Sequence, residues 1–278
     1  MGDVGALLAA RRRRPVFEHV LSAYSWVSEK LSPWPEEPGL HQLRVWSGPL
    51  RGAYLRTPKL SRLSFALGSY QMHVTRALDA HARPGQVVYD LGAHIGYFSL
   101  VMSRRVGPLG RVFSFEPDPA NLRALRRNLE CNRADNVAVV PSVVAERSGS
   151  LVFAAFEFSS VSHIATERTP SDASLIESPS LALDDFVYRD GNPPPALMKV
   201  DVEGAEGRVL AGARRLLRES RPVVIVEVSP RTIAAVDGFF RELGYRSNVL
   251  GGDSQGLVAA GIGDLLFLPW HVRASAWS

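Results

Sequence analysis

From Gln86 onward the chain alternates short apolar segments with amphipathic ones, and this alternation restricts the fold more than any other feature of the sequence. Short continuous apolar runs are typical of strands buried on both faces, and the segments between them carry apolar residues at helical spacing. Regular alternation of this kind predicts an α/β fold, a doubly wound and mostly parallel sheet. Strands are predicted at 86–91, 111–116, 136–141, 196–201 and 222–228, and helices at about 95–105, 118–131, 206–219 and 231–243.

Other segments depart from this alternation. Residues 149–158 have the pattern of an extended segment and lead into a Ser- and Thr-rich insertion at 159–180. Long insertions in compact domains are usually functional, so we predict that this loop belongs to the acceptor side of a site, with Ser162 and His163 as the residues to test. Residues 244–250 and 264–268 are predicted to pair as antiparallel strands at the sheet edge.

The segment before the alternation has a different pattern. Residues 16–31 carry an apolar helical stripe, residues 43–55 favour a short hairpin, and residues 70–81 favour a second helix. We therefore expect an N-terminal leader, made of a helix and a short hairpin, ahead of the main sheet.

Composition excludes several classes of protein. Cys131 is the only cysteine, which excludes an intrachain disulfide or a cysteine-based metal site and favours the reducing cytoplasm. The 32 basic and 28 acidic residues are mixed along most of the chain, so we expect no nucleic-acid partner and a solvated run at Arg11 to Arg14. No apolar run approaches the ~20 residues that span a bilayer, and no stable membrane insertion is expected. The seven histidines show no His-x-x-x-His spacing, and no metal ligands are predicted.

A glycine turn follows the first predicted strand. Gly92 and Gly96 allow close approach of a ligand to the backbone, and the helix after them offers free N–H groups. His94 and Tyr97 occupy the positions where a dinucleotide fingerprint has its second and third glycines. The turn therefore predicts a ligand other than a pyrophosphate.

An acidic residue ends the next strand. Glu116 lies twenty residues after Gly96, and a carboxylate at this place can accept both ribose hydroxyls of an adenosine. Together with the glycine turn it predicts an adenosine site. The other candidates for this site are Asp90, Ala93, Pro117 and Ser142.

A second group of charged residues surrounds the end of the fourth strand. Lys199 and Asp201 share one strand face, and Glu203 follows them if the chain stays extended. Glu227 ends the neighbouring strand and can reach the same place. A lysine in a buried strand is costly unless it has a partner or lines a cavity, so the pattern predicts a charged pocket. The alternative is a structural pair of Lys199 with a carboxylate, with Glu206 favouring the helix N-terminus.

These motifs resemble the FkbM-type family of class I S-adenosylmethionine-dependent methyltransferases. The resemblance covers about residues 68–268 and implies a Rossmann-like, seven-stranded sheet with S-adenosylmethionine across the ends of the first two strands. It also implies O-methylation of sugars, polyketides or similar metabolites, and it sets a leader at 1–67, a methyltransferase domain at 68–269 and a tail at 270–278. This chain has His94 where the family usually has Asn. The resemblance is carried by residues 90–99, 115–117, 183–186 and 199–206.

Methyl transfer to a hydroxyl requires an acceptor held in line and a group that removes its proton. Asp201 is the expected base, Lys199 would orient it or stabilise negative charge, and Glu203 and Glu227 would complete an acidic wall. The expected acceptor is a small molecule or glycoside. A carboxylate-bound Mg²⁺ is possible but not expected. Two other functions stay open, a nicotinamide-dependent oxidoreductase and a non-catalytic adenosine-binding regulator. Outside the site, Asp184 and Asp185 are predicted to be helix-end or surface groups.

Overall fold

The computed structural model describes residues 39–57, 63–155, 163–164, 174–251 and 263–270. These residues belong to two compact units that divide after Tyr70. The first unit contains the antiparallel pair of β1 (His41–Arg44) and β2 (Tyr54–Thr57), followed by the short helix α1 (Leu63–Ala66). The predicted hairpin is confirmed, while the helix predicted at 16–31 lies outside the described residues.

The second unit is built on a seven-stranded sheet. Along the chain it contains α2 (Met72–His81), β3 (Val87–Leu91), α3 (Tyr97–Val106), β4 (Arg111–Phe115), α4 (Pro119–Cys131), β5 (Val137–Val140), β6 (Val143–Val144), β7 (Gly149–Ala155), β8 (His163–Ile164), β9 (Ser174–Leu181), a π-helical turn (Asp185–Arg189), β10 (Leu197–Val200), α5 (Glu206–Ala211), α6 (Arg214–Glu219), β11 (Val223–Val228), α7 (Ile233–Glu242), β12 (Tyr245–Leu250) and β13 (Gly263–Pro269).

The strand order of the main sheet is β12-β13-β11-β10-β3-β4-β5. The five strands from β11 to β5 are parallel, and β13 runs antiparallel to both of its neighbours. This confirms the predicted Rossmann-like α/β fold with a mostly parallel seven-stranded sheet. Among the described residues, no helix is both long and apolar enough to cross a membrane.

Strand alternation separates an aromatic face of the sheet from a face that carries both apolar and polar side chains. Tyr89 points into a cluster of rings that includes Phe115 and Phe186, with centroids 5.2–5.8 Å apart. Asp90 and its cross-strand neighbour Ser114 are also fully buried, on adjacent strands. The aromatic cluster therefore rests on one set of strand positions, while the alternate set carries buried apolar side chains such as Val88 together with buried polar ones.

A second, four-stranded sheet occupies part of the predicted insertion. Its order is β6-β9-β7-β8, and β9 pairs with β7 along the whole of that strand. The predicted extended segment is confirmed over 149–155. The predicted irregular loop is wrong over 174–180, because those residues complete a ladder with β7. His163 pairs with Ala154 in this sheet, and Ser162 lies outside the described residues.

The single helix predicted at 206–219 is also wrong, since the chain forms two short helices there. Gly212 lies between them, and a Cβ at this position would be 2.1 Å from the carbonyl oxygen of Ala145. The carboxylate of Asp184 accepts hydrogen bonds from the N–H groups of Arg215 and Leu216, at 2.9 and 2.8 Å. Asp184 therefore satisfies backbone donors at the start of α6, in agreement with its predicted helix-end role.

Candidate active site

The glycine turn after β3 is held by both neighbouring strands. The N–H groups of Gly92 and Ala93 both donate to the carbonyl oxygen of Phe115 at 3.0 Å, and the N–H of Asp201 donates to that of Leu91 at 3.0 Å. Gly92 has φ +80°, and a Cβ there would lie 1.8 Å from the carbonyl oxygen of Asp201. Only glycine fits where the ends of β3 and β10 approach this closely.

Glu116 is buried at the end of β4, where donors surround it. Its Oε2 accepts the N–H of His94 at 2.7 Å, and its Oε1 accepts the N–H of Asp118 at 3.0 Å and the amide of Asn121 at 3.3 Å. His94 adopts φ +50°, which turns its N–H toward this carboxylate. Burial raises the pKa of Glu116 to about 7, although the three hydrogen bonds oppose this shift.

Asp90 is a fully buried carboxyl at the end of β3. Its Oδ2 accepts the hydroxyl of Ser99 at 2.6 Å, and the oxygen of Ser99 in turn accepts the hydroxyl of Ser114 at 2.8 Å. Its Oδ1 has no hydrogen-bond partner among the described residues. Burial raises the pKa of Asp90 despite the nearby charge of Lys199. The site therefore holds a fully buried carboxyl, one oxygen of which has no hydrogen-bond partner among the described residues.

Lys199 lies at the centre of the charged cluster. Its side chain is 2% exposed, and its Nζ donates to Oδ2 of Asp201 at 2.8 Å and lies 4.8 Å from the ring centroid of Phe98. Burial alone would lower the pKa of Lys199, but the charges of Asp201 and Asp90 outweigh it and hold the pKa above its ordinary value. Lys199 is therefore a cation throughout the neutral range.

Asp201 and Glu227 form a hydrogen-bonded pair of acids. Burial, followed by the charge of Asp201, raises the pKa of Glu227 to about 9. Burial acts in the same direction on Asp201, but the charge of Lys199 and the hydrogen bond with Glu227 outweigh it and lower the pKa. At neutral pH Glu227 therefore keeps its proton and donates it to an ionised Asp201.

Sequence reasoning missed two further members of this cluster. Asp264, at the start of β13, lies opposite Glu227 in the strand register, and its Oδ2 is 2.6 Å from Nε2 of His73 on α2. The charge of Asp264 also acts on Lys199 and Glu227. A carboxylate directly before the apolar run 265–268 is the signal that could have drawn attention to Asp264, whereas His73 stands in an ordinary amphipathic helix.

The other residues predicted for the site lie near the carboxyl ends of the parallel strands, outside the cluster around Lys199. Glu203 is exposed in the turn after β10, with φ +50°. Glu206 is buried at the start of α5, and its Oε1 accepts the N–H of Gly204 at 2.8 Å. Ala93 and Tyr97 are buried in the glycine turn, while Pro117 and Ser142 are half-buried after β4 and β5.

No group of three or more His, Cys, Asp or Glu side chains in the described part of the chain is arranged to hold a metal ion. Several acidic side chains of the site have hydrogen-bond partners in the protein. Asp201 binds Lys199, and Glu116 accepts N–H groups. The arrangement is thus a largely buried carboxyl cluster around one buried lysine, at the carboxyl ends of the parallel strands.

Comparison with known proteins gives a consistent result. Residues 90–247, more than half of the chain, match the family model described as the methyltransferase FkbM domain. The chain is 28% identical to hexuronic acid methyltransferase AglP of Haloferax volcanii over 67% of this chain and 80% of that protein. It is 30% identical to 31-O-demethyl-FK506 methyltransferase FkbM of Streptomyces tacrolimicus over 47% of this chain and 60% of that protein. The crystal structure of methyltransferase FkbM from Methylobacillus flagellatus is 19% identical with a TM-score of 0.46, covering 69% of this chain and 50% of that one.

Proposed function

The chain belongs to the FkbM methyltransferase family and is a methyltransferase; from this we propose that it transfers the methyl group of S-adenosylmethionine to a hydroxyl oxygen of a sugar or another small metabolite. The observation that carries the proposal is the buried carboxyl cluster at the ends of β3, β4, β10 and β11. We further propose that residues 68–269 form the catalytic domain.

Glu116 supports the adenosine part of this ligand. A carboxylate oxygen accepts about two hydrogen bonds, so the two donors on Oε1 fill it, while Oε2 has one donor and one remaining position. The remaining position suits one ribose hydroxyl, and the second hydroxyl would have to displace the longer bond from Asn121. The nicotinamide alternative has no comparable support, because Tyr97 and His94 stand where a pyrophosphate turn needs glycine.

The electrostatics of the cluster suit a cationic ligand. Asp201 neutralises Lys199, and the additional buried carboxyls Asp90 and Asp264 each have an oxygen without a hydrogen-bond partner among the described residues. A cation close to Asp90 would favour its ionised form and offset the cost of its burial. S-adenosylmethionine carries positive charge on its sulfonium and amino groups, and the sulfonium supplies an activated methyl group.

Asp201 has two candidate roles. The predicted role as general base stays a prediction, and a carboxylate whose pKa is lowered by two hydrogen-bonding partners is a weak proton acceptor. The second role is to present negative charge to the cofactor while Lys199 fixes its position. Asp201→Asn separates them. Loss of a base lowers kcat by roughly 10²-fold with cofactor affinity intact, whereas loss of the charge weakens cofactor binding.

The acceptor is proposed by class only. The relatives named above act, by their names, on a hexuronic acid and on a demethylated FK506, and both classes of compound carry hydroxyl groups. A panel of hexuronosides, neutral glycosides and macrolides, incubated with methyl-labelled S-adenosylmethionine and analysed by mass spectrometry, identifies the acceptor and the position of the methyl group. Label on oxygen supports the proposal. Label on nitrogen or carbon, or no transfer to any hydroxyl compound, contradicts it.

Cofactor binding is tested with a matched pair of variants. Glu116→Gln should weaken S-adenosylmethionine binding by about 10- to 100-fold in calorimetry, the equivalent of about 1.5–3 kcal/mol for a hydrogen bond to a charged group. Glu130→Gln makes the same change on the exposed end of α4 and should bind normally. Binding by the unmodified protein should also strengthen as pH rises to about 7, where Glu116 ionises. Equal affinity of the two variants, or preferential binding of NAD, would contradict the assignment.

A further inference from the structure

His73 and Asp264 form a hydrogen-bonded pair at the same edge of the sheet as the charged cluster. Nε2 of His73 lies 2.6 Å from Oδ2 of Asp264, and their side chains are 35% and 6% exposed. Asp264 is the register neighbour of both Glu227 on β11 and Leu250 on β12. The pair therefore reaches from a buried carboxyl beside the cluster to a partly exposed imidazole.

The carboxyl partner determines which ring nitrogen of His73 carries the hydrogen. When the carboxyl of Asp264 is ionised it only accepts hydrogen bonds, and Nε2 of His73 then donates to it. The lone pair of a neutral imidazole then lies on Nδ1, which has no hydrogen-bond partner among the described residues. An imidazole oriented in this way by a carboxylate is the side chain best suited to proton exchange near neutral pH.

Gly251 keeps space beside that nitrogen. A Cβ at this position would lie 2.8 Å from Cγ of His73 and 3.1 Å from Nδ1, so a side chain there would cover the ring. Gly251 also has φ +78°, a conformation that L side chains rarely adopt. At the end of β12, Gly251 thus lies close to the imidazole and has no side chain that would cover the nitrogen with the lone pair.

We propose that His73 is a catalytic residue whose Nδ1 accepts the proton of the acceptor hydroxyl, and that Asp264 is its positioning residue. The inference rests on the proposed function. As the acceptor oxygen forms its bond to the methyl carbon, its O–H bond breaks and the proton passes to Nδ1. The carbon–sulfur bond that breaks leaves its electron pair on sulfur. The imidazolium is stabilised by Asp264 and returns its proton to solvent through the exposed part of the ring.

This assignment is also consistent with the two hydrogen bonds that Asp201 accepts. Asp201 accepts from Lys199 and from Glu227, which leaves it less capacity to take a proton. The side chain of His73 makes one hydrogen bond, to Asp264, and its other ring nitrogen is directed away from that carboxylate. The two groups divide the work, with Asp201 supplying negative charge and His73 removing the proton.

The hydrogen-bonded pair is tested first on the protein alone. Histidine labelled with ¹⁵N and observed by long-range proton–nitrogen correlation reports the tautomer of each ring, and the signal of His73 is identified by its loss in His73→Gln. In the neutral ring we expect hydrogen on Nε2 and none on Nδ1, with this preference lost in Asp264→Asn. Hydrogen on Nδ1, or a tautomer unaffected by Asp264→Asn, would overturn the proposal.

The catalytic role is tested on the protein with its cofactor and acceptor. His73→Gln should lower kcat by about 10²- to 10⁴-fold while calorimetry shows unchanged S-adenosylmethionine affinity. Activity of His73→Ala should recover in part with added imidazole, a response that a purely structural histidine would not give. His81→Gln is the matched control, since it makes the same change eight residues further along α2, about 12 Å away, and should keep normal kcat.

The outcomes separate this inference from the proposed function. Near-normal kcat in a folded His73→Gln protein, or no rescue by imidazole in a folded His73→Ala protein, overturns the role of His73 and leaves the methyltransferase proposal standing. A large loss of kcat in Asp201→Asn with intact cofactor affinity also moves the base role from His73 to Asp201. Absence of transfer to any hydroxyl by the unmodified protein overturns both.

Discussion

Replacing Lys199 by methionine is the most direct test of the buried charge cluster. Lys199 is 2% exposed and pairs with Asp201, whose side chain is 19% exposed. Methionine keeps a similar length and volume, so packing changes little and the loss of charge dominates. The variant leaves Asp201 and Asp90 without the cation that favours their ionised forms.

The expected loss of unfolding free energy follows from this burial. Removing one partner of a buried ion pair costs about 3–5 kcal/mol, because the other charge loses its counter-ion while it stays largely shielded from water. Arg189→Met is the control, since Arg189 is 58% exposed and forms surface ion pairs with Asp185 and Asp190, which are 39% and 42% exposed. A surface pair of this kind contributes about 0–1 kcal/mol. The ratio of the losses of unfolding free energy in the two variants therefore shows how much burial adds to the contribution of the ion pair.

Urea denaturation followed by circular dichroism provides the measurement. The double variant Lys199→Met/Asp201→Asn should lose less stability than the sum of the two single variants, because removing both charges avoids the uncompensated one. A loss in Lys199→Met no larger than that in Arg189→Met would refute the reasoning, as would strict additivity in the double variant.

Three further outcomes are expected. Burial and the charge of Asp201 raise the pKa of Glu227 to about 9. The folded state therefore binds this proton more tightly than the unfolded state and loses stability as pH rises from about 4.5 to about 9. Thermal denaturation should show a smaller loss of stability over this range in Glu227→Gln. Gly92→Ala should cost more stability in urea than Gly96→Ala. Both glycines have positive φ, a conformation that costs an L residue about 1–2 kcal/mol. An added Cβ at Gly92 would clash with a backbone oxygen, whereas one at Gly96 would clash with the movable side chain of Leu125. Dialysis against EDTA should leave kcat unchanged; loss of activity that Mg²⁺ restores would show instead that the carboxyls hold a metal ion.

The sequence predicts those parts of the fold and site that depend on local pattern. Lys199 and Asp201 alternate along one strand, and Glu116 is the acid that ends another apolar run. Both patterns are visible in the sequence without knowledge of any neighbouring strand. His73 and Asp264 are separated by 191 residues, and their contact depends on β13 entering the sheet between β11 and β12. Strand order of this kind is not encoded in the periodicity of either segment.

The wrong helix prediction has a similar cause. Residues 206–219 carry one apolar periodicity, but the break at Gly212 is produced by the close approach of Ala145 and by the carboxylate of Asp184. Both partners lie on segments that precede the helices by many residues. Periodicity within these residues could not show that distant groups interrupt the helix.

The position of β13 has a consequence for the order in which the molecule assembles during synthesis. Among the described strands, β12 pairs only with β13, so a nascent chain that has passed Leu250 has made an edge strand before its neighbour exists. At translation rates of about 5–20 residues per second, the chain needs roughly 1–4 s to reach Pro269. During that interval β11 has an open edge, and Asp264 is added late. A chain without β13 would leave the edge of β11 unpaired, where a strand of another molecule could pair with it, and its site would lack Asp264.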